Sequence, residues 1–436
     1  MTSASDDERY MAEAIRLGLL HLGQTSTNPS VGCVVVKDGE IVGRGTTAIG
    51  GRPHAEPQAL AEAGERAEDA TAYVTLEPCS HFGKTPPCAN SLIEAGVIRV
   101  VISVTDPDER VSGRGIGMLR DAGIGVDTGV LEEEGKRSLA AYLTRQTKKR
   151  PYVTLKLAIS ADGMIGRRGE GQVAITGPAA RAEVQKLRAQ SDAILVGIGT
   201  AIADDPELTV RIAGQEDRSP VRIVLDPALS LPVTGKLART ARAVPVIVVA
   251  MEGVSDLADV EGSPPSVLPD ISPTRGEIGK MHADHSDGAV GDPVVSEEMS
   301  QGESPQPISP LVGEMPGRAE GGTPSIDASE MDSRRAALEA LGVEVLYCNP
   351  YHPEVLLPAL ASRGISSLIV EGGARTAKLF LDAGLVDRIQ LYQGDVTIGA
   401  DGIESPLTKT DMPSGFAHRG TFSFGPDRMD EYEREL

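Results

Sequence analysis

The chain has 436 residues, 40% of them hydrophobic and 3% aromatic, with no Trp and a formal net charge of −21. That length points to two or three domains with real cores. The charge repels phosphate backbones and the scarcity of aromatics removes base-stacking platforms, so a general nucleic-acid binder is disfavoured. Mean hydropathy is −0.12, and the longest strongly apolar run, Ala241 to Met251, is too short to cross a bilayer. From Tyr10 to Leu22, Met11, Ala14, Ile15, Leu19 and Leu22 recur at helical spacing. Val31–Val36 reads as a buried strand, Lys37-Asp38-Gly39-Glu40 as a tight hairpin turn and Ile41–Gly45 as the return strand. A helix near Ala55–Ala63, a strand Ala72–Leu76, a helix from Cys88 to Ala95, a strand Val97–Val104, a helix Gly115–Ala122 and a strand Ile124–Thr128 complete a three-layer α/β pattern.

A second unit starts near Arg150-Pro151. Tyr152–Ile159 is a predicted strand, and Pro178–Ala189 a helix with Pro in its first turn. The strands Ala193–Val196, Arg222–Leu225 and Val246–Ala250 follow. Between Gly253 and Asp332 the pattern breaks: these 80 residues hold 16 acidic and 3 basic side chains and 10 of the 30 prolines, without Phe, Tyr or Trp. So few large apolar groups cannot offset the entropy of ordering the chain, which predicts a disordered acidic insertion over 253–332. It contains a short repeat, Ile271–Ile278 and Ile308–Met315, and a histidine pair, His282 and His285, read as part of a solvated stretch. Beyond it come a helix Ser333–Leu341, a strand Val343–Tyr347, a helix Pro353–Arg363, a strand Leu368–Val370 and a helix Ala374–Ala383.

The four cysteines, Cys33, Cys79, Cys88 and Cys348, are too few for a disulfide scaffold. A reduced, cytoplasmic setting is expected. The stretch Met1–Arg9 is polar and acidic, and no secretory leader is expected from it. Cys33 falls in a strand run and reads as core, as does Cys348. Cys79 and Cys88 differ, because His54-Ala55-Glu56 precedes them and Pro78 adjoins Cys79. One imidazole and two thiolates can hold zinc and leave a fourth position for a water activated at neutral pH. A Glu beside the metal, Glu56, can carry protons from that water to a leaving amine. The set matches the His-x-Glu…Pro-Cys part of the zinc deaminase signature, although the eight residues Ser80–Pro87, rather than two, separate the cysteines.

Asn28-Pro29-Ser30-Val31-Gly32-Cys33, His54-Ala55-Glu56 and the run Thr75–Cys88 with its long spacer resemble the bacterial bifunctional deaminase/reductases of riboflavin biosynthesis. The resemblance continues through Arg150–Gly163, Ile175–Pro178, Leu187–Gln190, Val196–Thr200, Ala203–Pro206, Leu208–Arg211 and Glu371–Gly373, and covers nearly all of the chain outside 253–332. It implies a cytidine-deaminase-like domain over 1–148 and a dihydrofolate-reductase-like domain over 150–252 and 333–436. The first would deaminate 2,5-diamino-6-(5-phosphoribosylamino)pyrimidinone with zinc on His54, Cys79 and Cys88, Asn28 and Lys84 meeting the substrate. The second would reduce the ribosyl group to ribityl with NADPH. The resemblance puts Ala158, Ala174, Thr200, Asp204, Gly373, Ala374, Arg375, Thr376, Ala377, Lys378 and Leu379 on the cofactor, and Gln172, Arg188, Leu208, Arg211 and Glu371 on the substrate. It further implies a small phosphorylated pyrimidine as ligand, no nucleic acid or membrane, and a homo-oligomer.

Other readings remain for several of these residues. Lys84 also fits a solvated loop, Asn28 a turn, each arginine a surface ion pair, and Asp204-Asp205-Pro206 a helix end. Gly197 and Gly199 lack a third glycine at position 202, so they are not the Rossmann fingerprint. Gly372-Gly373 ends a strand and opens a helix, which suits either a phosphate at a helix N-terminus or a plain turn. A His and a Trp that family members often carry, before the Pro-His-Ala-Glu and Ile-Thr stretches, have no counterpart in Gly45–Gly50 and Gly169–Ala174. The alternatives are a nucleoside or tRNA-type deaminase with an accessory domain, and a non-catalytic scaffold. The acidic charge and the long spacer speak against the first, and the complete His54, Glu56, Cys79 and Cys88 set against the second.

Overall fold

The computed structural model describes residues 4–82, 86–108, 112–169, 171–251 and 328–435. In the N-terminal part the elements run α1 (Ala4–Gly18), β1 (Gly32–Lys37), β2 (Glu40–Thr46), α2 (Ala55–Ala63), β3 (Thr71–Leu76), α3 (Cys88–Glu94), β4 (Arg99–Val104), α4 (Arg114–Asp121), β5 (Gly125–Thr128), α5 (Glu132–Ser138) and α6 (Ala140–Lys148). The sheet order is β2-β1-β3-β4-β5. β1 lies antiparallel to β2 and β3, and β3, β4 and β5 are parallel. The hairpin turn falls where expected, with positive φ at both Asp38 and Gly39, the geometry that matches the strand twist.

Alternation along the strands sends side chains to two faces. On one, Tyr10, Met11, Ala14 and Leu17 of α1 pack on Val34, Val36, Tyr73 and Val101. On the other, α2, α3 and α4 cover Val35, Val74, Val100 and Ile102. This is the expected three-layer arrangement. Arg99 grips Asp7 of α1 through two bonds of 2.8 Å, and Tyr73 Oη donates to the same carboxylate at 2.7 Å. Leu19, expected on the buried face of the first helix, is 40% exposed. The α-helix stops at Gly18, and a 3₁₀ turn over Leu19–His21 changes the pitch and rotates it outward. α2 lies close on β2 because β2 offers a glycine there. A Cβ at Gly45 would stand 2.0 Å from the Ala55 carbonyl oxygen.

The second part comprises β6 (Tyr152–Ile159), β7 (Met164–Arg167), α7 (Pro178–Ala189), β8 (Ala193–Gly197), α8 (Ile198–Asp204), β9 (Val221–Leu225), α9 (Lys236–Arg239), β10 (Val246–Ala250), α10 (Ala328–Ala340), β11 (Glu344–Tyr347), α11 (Pro353–Ser362), β12 (Ser367–Glu371), α12 (Ala374–Asp382), β13 (Arg388–Gln393), β14 (Gly402–Glu404), β15 (Phe416–Phe424) and β16 (Asp427–Arg434). Nine strands form one sheet in the order β11-β10-β9-β8-β12-β6-β13-β16-β15, and β7 pairs with β14. The strands from β11 to β13 are parallel, and β16 and β15 close the edge antiparallel. Apolar clusters cover both faces, one around Leu155, Leu357 and Phe380, the other around Ile194, Val224 and Leu338. β12 and β6 therefore lie mid-sheet, and their carboxyl ends open at one edge, where ligands bind in such sheets.

Helix α10 begins at Ala328, five residues before the expected Ser333, so 328–332 belong to a helix and not to the insertion. Pairing one turn apart supports its start, with Glu330–Arg334 at 2.7 Å and Asp332–Arg335 at 3.0 Å. The remainder of that expected stretch, 253–327, lies outside the described residues. Among the described residues no helix is long and apolar enough to cross a membrane.

Candidate active sites

Two helix starts converge in the N-terminal domain. His54 is the residue capping α2, and Glu56 lies in the first turn of that helix. Gln58, one turn on, donates to the carbonyls of Pro53 at 3.1 Å and His54 at 3.0 Å and to that of Thr46, fixing the entry to the helix. Cys88 opens α3, and its N–H donates to Cys79 Sγ at 3.2 Å. His54 Nδ1 stands 3.4 Å from Cys88 Sγ and 3.8 Å from Cys79 Sγ, and the three donor atoms lie within 4.8 Å of one another. Tetrahedral zinc, with Zn–S about 2.3 Å and Zn–N about 2.0 Å, sets S and N roughly 3.6 Å apart. The donor set therefore fits zinc in both chemistry and spacing.

The electrostatics point the same way. A hydrogen bond from the Cys88 thiol, aided by His54, holds Cys79 down to about 4 against its burial. Cys88 itself is pushed up, first by sharing that bond and then by burial. Glu56 is 3% exposed, and burial raises its pKa while the neighbouring His54 pulls it down. Its carboxyl group reaches the Cys88 side chain. A carboxyl group with a raised pKa beside the donor set is suited to both taking and giving a proton.

The structure brings Asn28 to the same wall. Thr25 closes its turn through Asn28 N–H to Thr25 O at 3.1 Å and Thr25 Oγ1 to Asn28 O at 2.7 Å. The Asn28 amide lies over Gly51, three residues before His54, where a Cβ would come within 2.3 Å of Nδ2. Lys84 lies outside the described residues. Glu77, inside the Thr75–Cys88 motif, escaped the sequence analysis. Its carboxylate accepts from the backbone N–H of Gly113 at 3.0 Å and Ile116 at 3.2 Å, tying the strand end before Cys79 to the start of α4. A charged residue directly after the buried strand Thr71–Leu76 was the available signal.

In the C-terminal domain Arg188 of α7 meets Glu371 at the end of β12 through two bonds of 2.9 Å. It also donates to Thr209 O at 3.4 Å, and Arg211 N–H donates to Gln185 of α7 at 2.7 Å. The 208–211 segment is thereby held against α7. Arg211 is exposed and lines a cavity of 480 Å³ with Thr209, Glu216 and Ser219. The Leu208 side chain is buried in the core, which leaves its backbone for any ligand. Lys156, on β6 directly across from Glu371, was missed in the sequence. Its ammonium lies 5.7 Å from the Tyr392 ring, and burial lowers its pKa. Burial alone would raise Glu371, yet Arg188, Lys156 and Arg211 bring it down to about 2.

Adjacent to this cluster, the turns after β8 and β12 lie side by side, because Gly373 N–H donates to Thr200 Oγ1 at 3.2 Å. Neither α8 nor α12 carries a side-chain cap. Amides left open at a helix start suit the phosphates of a dinucleotide. Thr376 lies under Gly197, Ala377 is in the core, Leu379 packs against it, and Lys378 pairs with Asp382 at 3.0 Å. Gly373, Ala374 and Arg375 thus offer the backbone of the first turn, and the remainder of 374–379 anchors it. Asp204 ends α8, half-buried, and burial raises its pKa. Gln172 and Ala174 are exposed, and the Gly171 next to them lies against Ala203 O, beside Asp204. Ala158 faces Tyr392 across the β6–β13 pair.

Comparison with known proteins agrees with both halves. Residues 4–104 match the family model of the cytidine and deoxycytidylate deaminase zinc-binding region. Residues 151–271 and 324–427 match that of the RibD C-terminal domain, the break falling within the expected insertion. The riboflavin biosynthesis protein RibD of Actinobacillus pleuropneumoniae is 33% identical over 405 residues, covering 92% of this chain and 87% of that protein. That of Aquifex aeolicus is 46% identical over 246 residues, covering 56% and 69%. The crystal structure of a diaminohydroxyphosphoribosylaminopyrimidine deaminase/5-amino-6-(5-phosphoribosylamino)uracil reductase from Thermotoga maritima is 29% identical, with a TM-score of 0.72 over 99% of both chains. A zinc-type deaminase domain is thus followed by a dihydrofolate-reductase-like domain, and the chain belongs to the RibD family, the bifunctional deaminase/reductases of riboflavin biosynthesis.

Proposed function

We propose that residues 1–148 deaminate 2,5-diamino-6-(5-phosphoribosylamino)pyrimidin-4(3H)-one, and that residues 150–252 and 328–436 then reduce the ribosyl group of the product to ribityl with NADPH. The observation that carries the first activity is the convergence of His54 Nδ1, Cys79 Sγ and Cys88 Sγ within 4.8 Å beside the buried Glu56. These three residues would hold zinc, which when bound supplies the Lewis acidity that makes water nucleophilic near pH ~7. Glu56 takes the proton from that water. It passes protons to the ring and to the departing nitrogen as the new C–O bond forms, the C–N bond breaks and ammonia leaves. Asn28 orients the ring by its amide, and Lys84 meets a polar edge or phosphate of the substrate.

For the second activity the support is the charge cluster at the end of β12, beside Lys156 of β6. Arg188, engaged on both Glu371 oxygens, orients that carboxylate toward the sugar hydroxyls, which leaves Arg211 as the cation for the phosphate. Lys156 holds a proton beside the sugar and gives it up as the ring opens. The amides at the start of α12, with Thr200, Asp204 and Ala158, would hold NADPH, which supplies hydride to C1′ of the opened sugar. Gln172, Ala174 and the Leu208 backbone line the same edge. A two-thiol ligand set and a small phosphorylated substrate suit the cytoplasm. The test is a coupled assay on the purified chain, following ammonia and NADPH absorbance with and without a zinc chelator. Ammonia release followed by NADPH loss upholds the proposal. Absence of ammonia from this substrate with zinc bound would refute it.

A further inference from the structure

The loop that carries Asn28 leans on the other domain. The described residues form one compact unit, and Gly23 and Thr27 touch the C-terminal domain within it. A Cβ at Gly23 would stand 2.8 Å from Gln190 C and 2.9 Å from Ser191 N, directly after α7. One at Gly364, after α11, would stand 3.1 Å from Thr27 Cγ2. Arg145 of α6 donates from Nη2 to Thr27 O at 2.8 Å, next to Asn28 in the chain. α6 is itself fastened to the C-terminal domain. Lys148 Nζ lies 3.8 Å from Asp387, and Arg150, two residues on, binds that carboxylate at 2.5 and 2.7 Å. The Arg145 charge also acts on Asp192, whose Oδ2 accepts from Ser366 N–H at 2.8 Å and Ser367 N–H at 2.9 Å. On its inner side the loop meets the deaminase wall, where Gly50 N–H donates to Gln24 O at 2.8 Å.

We infer that the reductase domain forms the outer support of the deaminase substrate loop, and that Arg145 is a positioning residue that holds Asn28 over Gly51 by clamping Thr27. The inference rests on the proposed role of Asn28 in binding the pyrimidine. Such a clamp acts on how often the loop is in its binding conformation, so its loss weakens substrate binding and leaves the chemistry at Glu56 alone.

The experiment uses the full chain and separate assays for the two steps. In Arg145→Met the deaminase KM rises roughly tenfold, as loss of one charge-assisted hydrogen bond implies, with kcat within about twofold. Reductase kinetics on deaminated substrate stay unchanged. Arg145→Lys, which keeps a donor, recovers part of the KM. Asp192→Asn, a change in the reductase domain, raises the deaminase KM by a smaller factor. Asn28→Ala raises it alone, and the double variant Asn28→Ala/Arg145→Met is no worse than Asn28→Ala. An unchanged KM in Arg145→Met, or fully additive effects in the double variant, overturns the inference while the role of Asn28 stands. An unchanged KM in Asn28→Ala overturns that role, and the inference with it.

Discussion

In the N-terminal domain two thiols, an imidazole and a buried carboxyl group are gathered and stabilise one another: Cys79 and Cys88 share a proton, and His54 favours the charged forms of Cys79 and Glu56. In the C-terminal domain Glu371 is surrounded in advance by Arg188, Lys156 and Arg211. The first site gathers a donor set that a metal cation would complete. The second is balanced within the chain and open to anions at its rim. Ligand removal should therefore disturb the two domains unequally, and single substitutions should separate them.

The largest contrast comes from metal removal. A chelator should abolish ammonia release and leave NADPH oxidation on deaminated substrate intact, since among the described residues none of the reductase domain belongs to the donor set. Loss of both activities would show that the reductase site depends on the metal centre through the contacts between the domains. Glu56→Gln comes next. It keeps the three donors and removes the proposed proton carrier, so bound zinc should stay at one per chain by elemental analysis while deamination falls by about 10²–10⁴. Retained activity would assign the proton transfer elsewhere.

On the reductase side, Glu371→Gln leaves Arg188 largely buried against a neutral partner. Breaking such a pair costs roughly 3–5 kcal/mol, readable as a lower unfolding midpoint together with lost NADPH oxidation. The sign of the pH dependence follows from the depressed pKa. The carboxylate is favoured in the fold, so its stabilisation is complete above the ordinary 4.5 and is lost as pH falls toward about 2. Acid unfolding of Glu371→Gln should be shallower across that window. Lys156→Met should slow reduction by about 10². Because burial lowers the Lys156 pKa, the alkaline limb of reductase kcat/KM should lie below the 10.5 of a free lysine and vanish in the variant.

The difference between the sites also explains what could be read in advance. His54, Glu56, Cys79 and Cys88 come in short contiguous motifs at element ends, and most elements of the N-terminal domain fell within a residue or two of expectation because alternation and helical spacing are clean there. The helices α5 and α6 were missed, since Glu132–Lys148 is polar with few apolar positions in register. Lys156 was passed over because, within Tyr152–Ile159, it alternates like a solvent-facing residue. That strand lies mid-sheet with both faces covered, where a lysine is costly and hence informative. The cue needs the strand order, which no local pattern contains. The hairpin β15–β16 was lost for the opposite reason, its many charges matching no core-strand pattern.

The smallest predicted effect probes the join between the turns that follow β8 and β12. Thr200 Oγ1 accepts from Gly373 N–H, and this bond sets the turn after β8 against the start of α12. Thr200→Val keeps the shape and removes the acceptor, a loss worth about 0.5–1.5 kcal/mol. If the open amides at the start of α12 hold the phosphates of NADPH, that loss should appear as a several-fold rise in KM for NADPH, with the KM for the pyrimidine and the whole deaminase reaction unmoved. An equal rise in both reductase KM values would mean that Thr200 supports the domain generally.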